Sequence, residues 1–352
     1  MFLSSLLTTA LALSTAVVAA PSSNGNKANN NGHGNGLDKN KKNANNGTCP
    51  LTAVDPLIHD PSVAKVNGTY YLYSTGEGIP IRKSTDRINW KFAGFVFPDG
   101  APSVTDAYTN TTNGSLWAPD VSYHKESNQF VLYYSASSFG SPISGIFLAT
   151  SPTGEPGSFT QQGLVIESSP AKDPYNAIDA NLVYNGTSWH LSWGSWWKGL
   201  YMTEVDPKTF MPISKNTSEY VLLSSRPSTL PIGANWGGEN GSEGPYVIKY
   251  GCYFYLFSAW DRCCAGLDST YKIVVSRSLN VNGPYVDKQG TLATAGGGSI
   301  VLSSHGDIVG PGHMAVHEEE DGVYMYYHHY TAENFELGIN KLDFSTGWPV
   351  VV

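Results

Sequence analysis

Asp60-Pro61-Ser62-Val63-Ala64-Lys65-Val66-Asn67-Gly68-Thr69-Tyr70-Tyr71-Leu72-Tyr73-Ser74 begins with a carboxylate and divides at an Asn-Gly pair. A short apolar segment precedes the pair, and a run of aromatic and other strand-forming residues follows it. Such a pattern is typical of a β-hairpin in which Asn67 and Gly68 form the turn. The stretch therefore predicts two antiparallel strands that open on a polar residue.

The same pattern returns four more times along the chain. The later copies begin at Asp120, Asp179, Glu243 and His313, and their turns are predicted at Ser127-Asn128, Asn185-Gly186, Tyr250-Gly251 and Asp321-Gly322. Successive copies lie roughly 60 to 70 residues apart, which is enough for one four-stranded sheet per copy. Sheets of this kind must stack to bury their faces, and a closed ring leaves only short edges. The chain is predicted to be all-β, a five-bladed β-propeller.

The first polar residue of each copy stands ten or eleven residues before the lead aromatic residue of its second strand. Equal spacing implies equal positions in the blades, and the innermost strand of a propeller blade runs beside the central axis. We therefore predict a ring of five side chains at one end of the axis. These predicted hub residues are Asp60, Asp120, Asp179, Glu243 and His313.

The N-terminal region divides into two segments before the propeller. Residues 1–20 are apolar and end in Val18-Ala19-Ala20, small residues that suit a signal peptidase, so we expect a signal peptide and a secreted protein. An uncleaved membrane anchor is the alternative. Residues 21–48 are rich in Asn, Gly and Lys and are expected to be a disordered tether or pro-segment. The predicted propeller occupies residues 49–352, where no further apolar run is long enough to suggest membrane contact.

The chain is acidic, with a formal net charge of −8. The tether contributes four lysines against one aspartate, so the propeller itself is more acidic than the whole chain. Nucleic acids and anionic polysaccharides favour basic surfaces. We therefore expect a neutral substrate, no nucleic-acid partner and a monomer.

Cysteines and glycosylation sequons agree with a secretory route. The four cysteines, Cys49, Cys252, Cys263 and Cys264, allow two disulfides in three possible pairings, and they lack the spacing of a zinc site. A structural role is expected for the adjacent pair. Seven Asn-X-Ser/Thr sequons are present, and we expect partial glycosylation. They are Asn46, Asn67, Asn110, Asn113, Asn185, Asn216 and Asn240.

Aromatic residues of the repeated strands are interpreted as packing between sheets. Tyr71, Tyr73, Tyr133 and Phe257 belong to this group. Four tryptophans lie beside the predicted hub residues or in the loops that follow, where a flat ring could stack on the C–H face of a sugar. They are Trp117, Trp193, Trp196 and Trp197.

Converging carboxylates can form a cation site, a solvated rim or a catalytic centre. Catalysis is favoured because the acids come from different blades and have one histidine among them rather than basic partners. Glycoside hydrolysis needs one protonated carboxyl group and one carboxylate, and a third acid nearby raises the pKa of the donor. A non-catalytic propeller that binds sugars or proteins is the alternative from a different class.

Six short motifs, in this order, carry a resemblance to a known family. They are His59-Asp60-Pro61-Ser62, Trp117-Ala118-Pro119-Asp120, Ala177-Ile178-Asp179-Ala180-Asn181, Glu243-Gly244-Pro245-Tyr246, Asp261-Arg262-Cys263-Cys264 and Gly310-Pro311-Gly312-His313. With these motifs the chain, from about Asp55 to Val352, resembles glycoside hydrolase family 43, and within it the fungal endo-1,5-α-L-arabinanases. The six motifs together support the resemblance more strongly than any one of them does, because they coincide with the five repeated copies, which were found independently.

The resemblance implies specific catalytic roles. Asp60 is the expected general base that activates water, and Glu243 is the expected general acid. Asp179 is expected to tune the pKa of the acid and to orient it. Glu239 competes with Glu243 for the acid role, but it stands four residues away from the predicted hub position. The family inverts the anomeric centre, which requires roughly 6.5 to 9.5 Å between base and acid.

The resemblance also implies a calcium ion near His313, held mainly through water because calcium prefers oxygen ligands. A hydrogen-bonded histidine without a metal is the alternative, and no organic cofactor is expected. Asp120 is placed among the substrate-facing residues, with bracing of the adjacent loop as its alternative role. The expected substrate-binding residues are Trp117, Asp120, Asn181, Trp193 and Ser195.

The expected activity is therefore cleavage of internal α-1,5 bonds in arabinan or arabino-oligosaccharides. Within the same family, an exo-acting α-L-arabinofuranosidase or a β-xylosidase is the alternative. An open groove would favour endo action, whereas a pocket blocked at one end would favour exo action.

Overall fold

The computed structural model describes residues 57–109, 112, 114–226 and 240–352. The expected signal peptide, the tether, Cys49, Glu239 and three of the sequons therefore lie outside the described residues. Within them, the chain forms 21 β-strands and four 3-10 helices of three residues each. The 3-10 helices are Ser103–Thr105, Thr217–Glu219, Gly266–Asp268 and Ala293–Ala295.

The strands form five antiparallel sheets in chain order, which confirms the predicted five-bladed propeller. Blade 1 contains β1 (Ser62–Val66), β2 (Thr69–Tyr73), β4 (Pro80–Ser84) and β5 (Lys91–Phe95). Blade 2 contains β6 (Ser115–His124), β7 (Gln129–Ala136), β8 (Ser144–Ser151) and β9 (Thr160–Ser168), and the short β3 (Gly76–Glu77) pairs with β6 at its edge.

The other three blades each contain four strands from one continuous segment. Blade 3 contains β10 (Asn181–Tyr184), β11 (Trp189–Trp193), β12 (Leu200–Val205) and β13 (Val221–Ser224). Blade 4 contains β14 (Ser242–Tyr250), β15 (Tyr253–Trp260), β16 (Lys272–Ser278) and β17 (Ser299–Leu302). Blade 5 contains β18 (Val309–Glu319), β19 (Gly322–Tyr330), β20 (Phe335–Asp343) and β21 (Val350–Val351).

Each predicted hairpin joins the first and second strands of a blade. The turn at Asn67-Gly68 lies where it was predicted, because Val66 pairs with Thr69. In blade 4, Tyr250 pairs with Tyr253, so the turn lies one residue later than predicted. In blade 5 it lies one residue earlier, because Glu319 pairs with Gly322. The hairpins were predicted correctly, and two turn positions were wrong by one residue.

The first strands of the five blades contact one another in cyclic order, and β18 returns to contact β1. Five apolar clusters fill the spaces between neighbouring blades. Tyr73, Tyr133 and Phe257 are completely buried in these clusters, and Tyr71 packs against one of them. The sheet aromatics therefore stabilise blade stacking, as predicted, at about 1.5–3 kcal/mol for each fully buried large side chain.

Blades 5 and 1 meet around Glu319, whose side chain is fully buried. Its carboxylate accepts hydrogen bonds from Arg87 Nη1 at 3.0 Å and from Tyr326 Oη at 2.9 Å. It also binds Lys65 Nζ at 3.4 Å and the hydroxyl of Tyr70. Among the described residues, no strand of blade 1 pairs with a strand of blade 5. The junction between these two blades therefore depends on side chains.

No helix among the described residues is long and apolar enough to cross a membrane.

Replacing Glu319 with alanine should lower the free energy of unfolding by about 3–5 kcal/mol, because Arg87 and Lys65 would lose a buried partner. Thermal unfolding of Glu319→Ala and of the exposed neighbour variant Glu320→Ala measures this difference. Equal stability of the two variants would show that the junction does not depend on the Glu319 carboxylate.

Candidate active site

One residue near the start of each blade has a left-handed backbone. We call these five the opening residues: Asp60, Ala118, Asp179, Gly244 and His313, with φ of 50°, 43°, 62°, 58° and 43°. Residues other than glycine adopt this conformation at a cost, so it persists only where the surroundings hold it. The register supports the equivalence, since each opening residue stands two positions before a residue that pairs with the second strand of its own blade.

Side chains of the preceding blade hold four of the opening residues. The acceptors of their backbone N–H groups are His328 Nδ1 for Asp60 (3.1 Å), Thr75 Oγ1 for Ala118 (2.8 Å), Ser135 Oγ for Asp179 (3.1 Å) and Asp179 Oδ2 for Gly244 (3.1 Å). In a normal ladder these N–H groups would point at a neighbouring strand. Here the contacts fix where each first strand starts relative to the blade before it.

Two of the predicted hub residues are not opening residues. Asp120 stands two positions after Ala118, and Glu243 stands one position before Gly244. The β6–β7 hairpin is two residues longer than the β1–β2 hairpin, because Asp120 pairs with Tyr133 whereas Ser62 pairs with Tyr73, and this moves the count in blade 2. In blade 4 the lead aromatic residue, Tyr253, lies one position nearer the turn than its counterpart in blade 1, which moves the count by one. The ten-residue spacing was therefore wrong by two residues for Asp120 and by one for Glu243.

Asp120 and Asn181 connect neighbouring blades, and the prediction that they bind substrate is corrected. Asp120 Oδ2 accepts the backbone N–H of Leu182 at 2.8 Å, and Oδ1 accepts Asn181 Nδ2 at 3.3 Å. Asn181 Oδ1 accepts the N–H of Val247 in blade 4 at 2.8 Å. Ser62 Oγ makes the equivalent bond to blade 2. Both side chains are buried by these contacts, which is the bracing role considered as the alternative for Asp120.

Trp193 also lies in the core, so its predicted contact with substrate is corrected. Its side chain is completely buried. The indole packs edge-on against Tyr175 and Tyr220, with ring centroids at 5.4 and 5.0 Å. An apolar residue at the end of β11 fills the space between blades 2 and 3. Its position in the sequence, close to Ser195 and Trp196, had suggested a more open setting.

A cavity of about 910 Å³ lies at the hub, and every blade contributes to its wall. Its size is near the upper end of the range of about 300–1,000 Å³ for ligand pockets. Six of the nine predicted site residues line it: Asp60, Trp117, Asp179, Ser195, Glu243 and His313. Trp196 lines it too, whereas the described lining does not include Trp197. Phe139, which sequence reasoning missed, packs at a tilt against Trp117, with ring centroids 4.8 Å apart.

Asp60 is held as a carboxylate. Thr75 Oγ1 donates to its Oδ2 at 2.5 Å, and His59 Nδ1 lies 2.9 Å from the same oxygen. His328 and His313 place nitrogens 3.4 and 3.5 Å from Oδ1. Burial alone would raise the pKa of Asp60, but the charge and hydrogen bond of His59, and the charges that His313 and His328 acquire only in acid, lower it well below its ordinary value. Asp60 is therefore ionised at neutral pH and can accept a proton.

Tyr330 connects the histidines around Asp60. Its hydroxyl lies 3.1 Å from His59 Nε2 and 3.1 Å from His328 Nε2. His328 Nδ1 accepts the N–H of Asp60, and burial lowers the pKa of His328, so this imidazole is neutral. His59 stacks on His328 with ring centroids 3.8 Å apart. The network fixes both the backbone and the carboxylate of Asp60.

Glu243 and Asp179 have the opposite electrostatic setting. Ser195 Oγ donates to Glu243 Oε2 at 2.7 Å, and Tyr271 and Trp196 also hydrogen-bond Glu243. Burial raises the pKa of Glu243 more than these donors lower it, and the charge of Asp60 adds to the rise. Burial and the charges of Glu243 and Asp60 raise the pKa of Asp179 well above its ordinary value. Both acids on this side of the cavity therefore lose their protons at higher pH than free carboxyl groups do.

Gly244 and Gly312 allow this packing. A Cβ on Gly244 would lie 3.1 Å from His313 Nδ1, and its positive φ favours glycine. A Cβ on Gly312 would lie 1.9 Å from the ring of Tyr271. Because Tyr271 hydrogen-bonds Glu243, the absence of a side chain at Gly312 positions the acid indirectly.

The cavity thus combines a carboxylate whose pKa is lowered with a carboxyl group whose pKa is raised. Their pKa values move in opposite directions because imidazoles surround Asp60, whereas burial and other acids surround Glu243. Pairs of acids set apart in this way perform general acid–base chemistry at a glycosidic bond.

The model of the family described as glycosyl hydrolases family 43 matches residues 53–349. The chain belongs to this family. As a member of family 43 it is a glycosidase, and the resemblance stated from the six motifs is confirmed.

Relatives of known sequence agree. The chain is 38% identical over 310 residues to an arabinan endo-1,5-α-L-arabinosidase A of Aspergillus niger, covering 83% of this chain and 90% of the relative. It is 35% identical over 316 residues to an extracellular exo-α-(1→5)-L-arabinofuranosidase of Cellvibrio japonicus, covering 86% and 88%.

Solved structures of family 43 share the fold. A Cellvibrio cellulosa α-L-arabinanase complexed with arabinohexaose superposes with a TM-score of 0.78 at 33% identity, covering 84% of this chain and 95% of that one. An endo-arabinanase from Bacillus licheniformis gives a TM-score of 0.75 at 38% identity, covering 85% and 99%.

The residues around His313 fit a calcium ion only if water supplies most of its ligands. Burial lowers the pKa of His313, so its imidazole is neutral and offers a lone pair. His59, Asp60 and His328 place potential ligand atoms within 4.8 Å of one another. However, His328 Nδ1 already accepts the N–H of Asp60, and His59 contacts the Asp60 carboxylate directly. The closeness of His59, Asp60 and His328 is therefore explained by their contacts with one another, which support Asp60 as the base.

Further supporting residues stand at the ends of the second strands, and sequence reasoning missed all of them except Ser195. Thr75, Ser135 and Ser195 each follow an aromatic strand residue by two positions, and His328 does the same in blade 5. Each of them hydrogen-bonds either an opening residue or a hub carboxylate. A search for polar residues at this fixed offset would have found them.

Asp261 restrains the chain that leads to Glu243. It accepts the N–H of Asn240 at 3.0 Å and pairs with Arg226. Its own N–H donates to the carbonyl of Gly241 at 3.0 Å. Glu243 therefore follows a segment whose backbone is held at Gly241, two residues earlier. In the sequence, only the motif that contains Asp261 indicated this support.

Replacing Asp120 with alanine should lower the free energy of unfolding by about 1–3 kcal/mol, because Leu182 N–H and Asn181 would lose a buried acceptor. Activity per folded molecule should fall far less than in variants of Asp60 or Glu243. Thermal unfolding and specific activity measure the two effects, and exposed Glu126→Ala on the same blade is the control. Full loss of activity in a stable Asp120→Ala protein would contradict the bracing role.

Replacing Asp179 with asparagine should move the alkaline limb of the pH–rate profile to lower pH. Glu243 and Asp179 interact mutually, so removal of one charge lowers the pKa of the remaining acid. The acid then loses its proton at lower pH, and the rate falls as well. The profile of kcat/KM against pH measures this, with exposed Asp106→Asn as control. An unchanged alkaline limb would argue against pKa tuning by Asp179.

Proposed function

We propose that this glycosidase is a secreted endo-acting arabinanase that hydrolyses internal α-1,5-L-arabinofuranosidic bonds of arabinan, with inversion at the anomeric carbon. The observation that carries the proposal is that one cavity wall holds Asp60, whose pKa is lowered, and Glu243, whose pKa is raised. The names and identities of the relatives support arabinan as the substrate. A cavity wall with four carboxyl groups also favours a neutral polysaccharide over an anionic one.

In the proposed mechanism, Asp60 accepts a proton from the water that attacks the anomeric carbon. Glu243 gives its proton to the departing glycosidic oxygen, so the leaving sugar forms as a neutral alcohol. Asp179 keeps Glu243 protonated and holds the N–H of the next residue, Gly244. Inversion requires room for water between base and acid, roughly 6.5–9.5 Å of carboxyl separation.

The contacts of the two acids suit these roles. Asp60 is oriented by Thr75 and His59, which bind its Oδ2. Glu243 is oriented by Ser195. We therefore assign Ser195 to positioning the acid instead of contacting the substrate. Trp117, which packs against Phe139, provides an apolar surface for a sugar ring. These groups bind and orient, and the two acids move the protons.

Endo action is favoured by two relatives named as endo-acting enzymes, each 38% identical to this chain. Exo action is the second candidate, because relatives named as exo-acting enzymes are 35% and 33% identical. Cavity volume alone is compatible with several sugar units in either mode.

Secretion and calcium belong to the same proposal. Residues 1–20 have the pattern of a signal peptide, and one relative is named as extracellular. Of the sequons within the described residues, Asn67, Asn216 and Asn240 are exposed and open to glycosylation.

Calcium would be held by His313 and by water. Calorimetric titration of calcium into chelator-treated protein, compared with His313→Ala, tests this site, and equal binding by both would reject it.

A time course on linear arabinan tests the proposed function. Mixed oligosaccharides should appear early, because internal bonds are cut first. Arabinose alone from the start would favour the exo alternative. Binding without any product would support a non-catalytic propeller and contradict the proposal.

Asp60→Asn and Glu243→Gln should each lower kcat/KM by about 10²–10⁴-fold, the usual contribution of a general acid or base. Asparagine tolerates the left-handed backbone of Asp60, so the fold should persist. Rates on linear arabinan and thermal unfolding measure both effects, with Asp106→Asn as control. A Glu243→Gln enzyme that kept most of its activity would remove Glu243 from the acid role.

A further inference from the structure

Cys263 and Cys264 form a disulfide between adjacent residues on the wall of the cavity. Both belong to the loop that follows β15, and Cys264 is exposed. Cys263 packs against the apolar cluster between blades 4 and 5. In the described part of the chain, the remaining cysteine, Cys252, is exposed and unpaired. The open question of pairing is thus answered for the adjacent cysteines, and their expected structural role does not explain why a sulfur faces the cavity.

The disulfide lies next to the support of the catalytic base. The N–H of Cys264 donates to the hydroxyl of Tyr330 at 2.8 Å. Cys264 Sγ lies 4.0 Å from His59 Nε2, and the opposite nitrogen of that imidazole lies 2.9 Å from Asp60 Oδ2. One imidazole ring therefore separates the sulfur from the carboxylate. A sugar unit next to the bond that is cleaved would lie within reach of both.

The chemistry of this surface is apolar. Disulfide sulfurs have no hydrogen to donate, and they are polarisable and only weak acceptors, so they suit C–H groups. Phe335, which also lines the cavity, packs edge-on against His59 at 5.0 Å and extends the surface. A furanose ring has polar edges and a face of C–H groups. The polar edges have carboxylates and imidazoles nearby, whereas the C–H face needs a surface of this kind.

Rigidity makes the surface effective. A bond between neighbouring cysteines fixes both side chains, and the hydrogen bond to Tyr330 fixes the backbone. Side chains that are already ordered lose little conformational entropy when a ligand binds. Two free thiols at the same positions could rotate and would present S–H donors to the sugar.

We propose that the Cys263–Cys264 disulfide binds the C–H face of the arabinofuranose unit adjacent to the cleaved bond. This assignment rests on the proposed function, since it takes arabinan as the substrate. Hydrolysis transfers no electrons, so the disulfide stays oxidised and acts by contact. Its loss should therefore weaken substrate binding more than it slows the chemical step.

The test uses a full-length Cys49→Ser/Cys252→Ser background, in which only the adjacent pair can be reduced. In this background we compare the oxidised protein, the protein reduced with dithiothreitol, and the Cys263→Ser/Cys264→Ser variant. Kinetics on arabino-oligosaccharides give kcat and KM, and thermal unfolding reports the fold. Leu267→Ala on the same loop is the matched control, because its exposed side chain does not line the cavity.

Reduction and the double serine variant should each raise KM about 3- to 10-fold, equivalent to the loss of one sugar-face contact of about 1 kcal/mol. kcat should change less than KM, and reoxidation should restore KM. Leu267→Ala should match the background.

Unchanged KM in the reduced and serine forms would overturn the assignment while leaving the proposed function intact. A fall in kcat alone would also overturn it, because that result indicates a role in supporting Tyr330 and Asp60. Absence of both hydrolysis and binding in the oxidised background would contradict the proposed function itself, and the two failures are thus distinguishable.

Discussion

The left-handed residue at the start of each blade is the constraint on which the site depends. A backbone N–H that leaves the sheet ladder must find another acceptor, and in four blades a side chain of the preceding blade provides it. The same contact therefore joins neighbouring blades and positions the residues around the axis. At Asp60 and Asp179, the residue under this constraint is itself a carboxylate of the cavity. At Glu243 the constraint acts on the next residue, Gly244, so the acid is fixed by its neighbour's backbone.

Electrostatic asymmetry follows from which blades surround each acid. Asp60 lies where blades 5 and 1 meet, among His59, His313 and His328, and its pKa is lowered. Glu243 and Asp179 lie in blades 4 and 3, are buried with each other, and have raised pKa values. A single cavity thus holds a proton acceptor and a proton donor without any positively charged lysine or arginine beside either acid among its described hydrogen-bond partners. The propeller achieves this separation by drawing neighbours from different sheets.

Much of this organisation could be predicted from the sequence because hairpins and their aromatic runs recur at regular intervals. Five blades, a common hub, and the positions of Asp60, Asp179, Glu243 and His313 on one cavity all follow from that repetition. The errors arise where the repetition is locally broken. The β6–β7 hairpin is two residues longer than the β1–β2 hairpin, so counting back from its aromatic residue reaches Asp120 instead of Ala118, and a fixed spacing does not reveal the extra length. From the sequence, Trp193 cannot be distinguished from a surface tryptophan, and only the fold shows that it is covered by its neighbours. Side-chain acceptors such as Thr75 and Tyr330 come from distant segments, and only the folded chain brings them together.

The central claim is that water, activated by Asp60, attacks the anomeric carbon from the face opposite the bond that Glu243 protonates. Proton NMR of the products during the first minutes of arabinan hydrolysis tests this claim most directly, because it identifies the anomer before mutarotation mixes the two forms. Cleavage of an α-linkage by this route yields the β-anomer first. An α-anomer as the first product would mean that a carboxylate attacks the sugar itself, and it would contradict the roles assigned to Asp60 and Glu243.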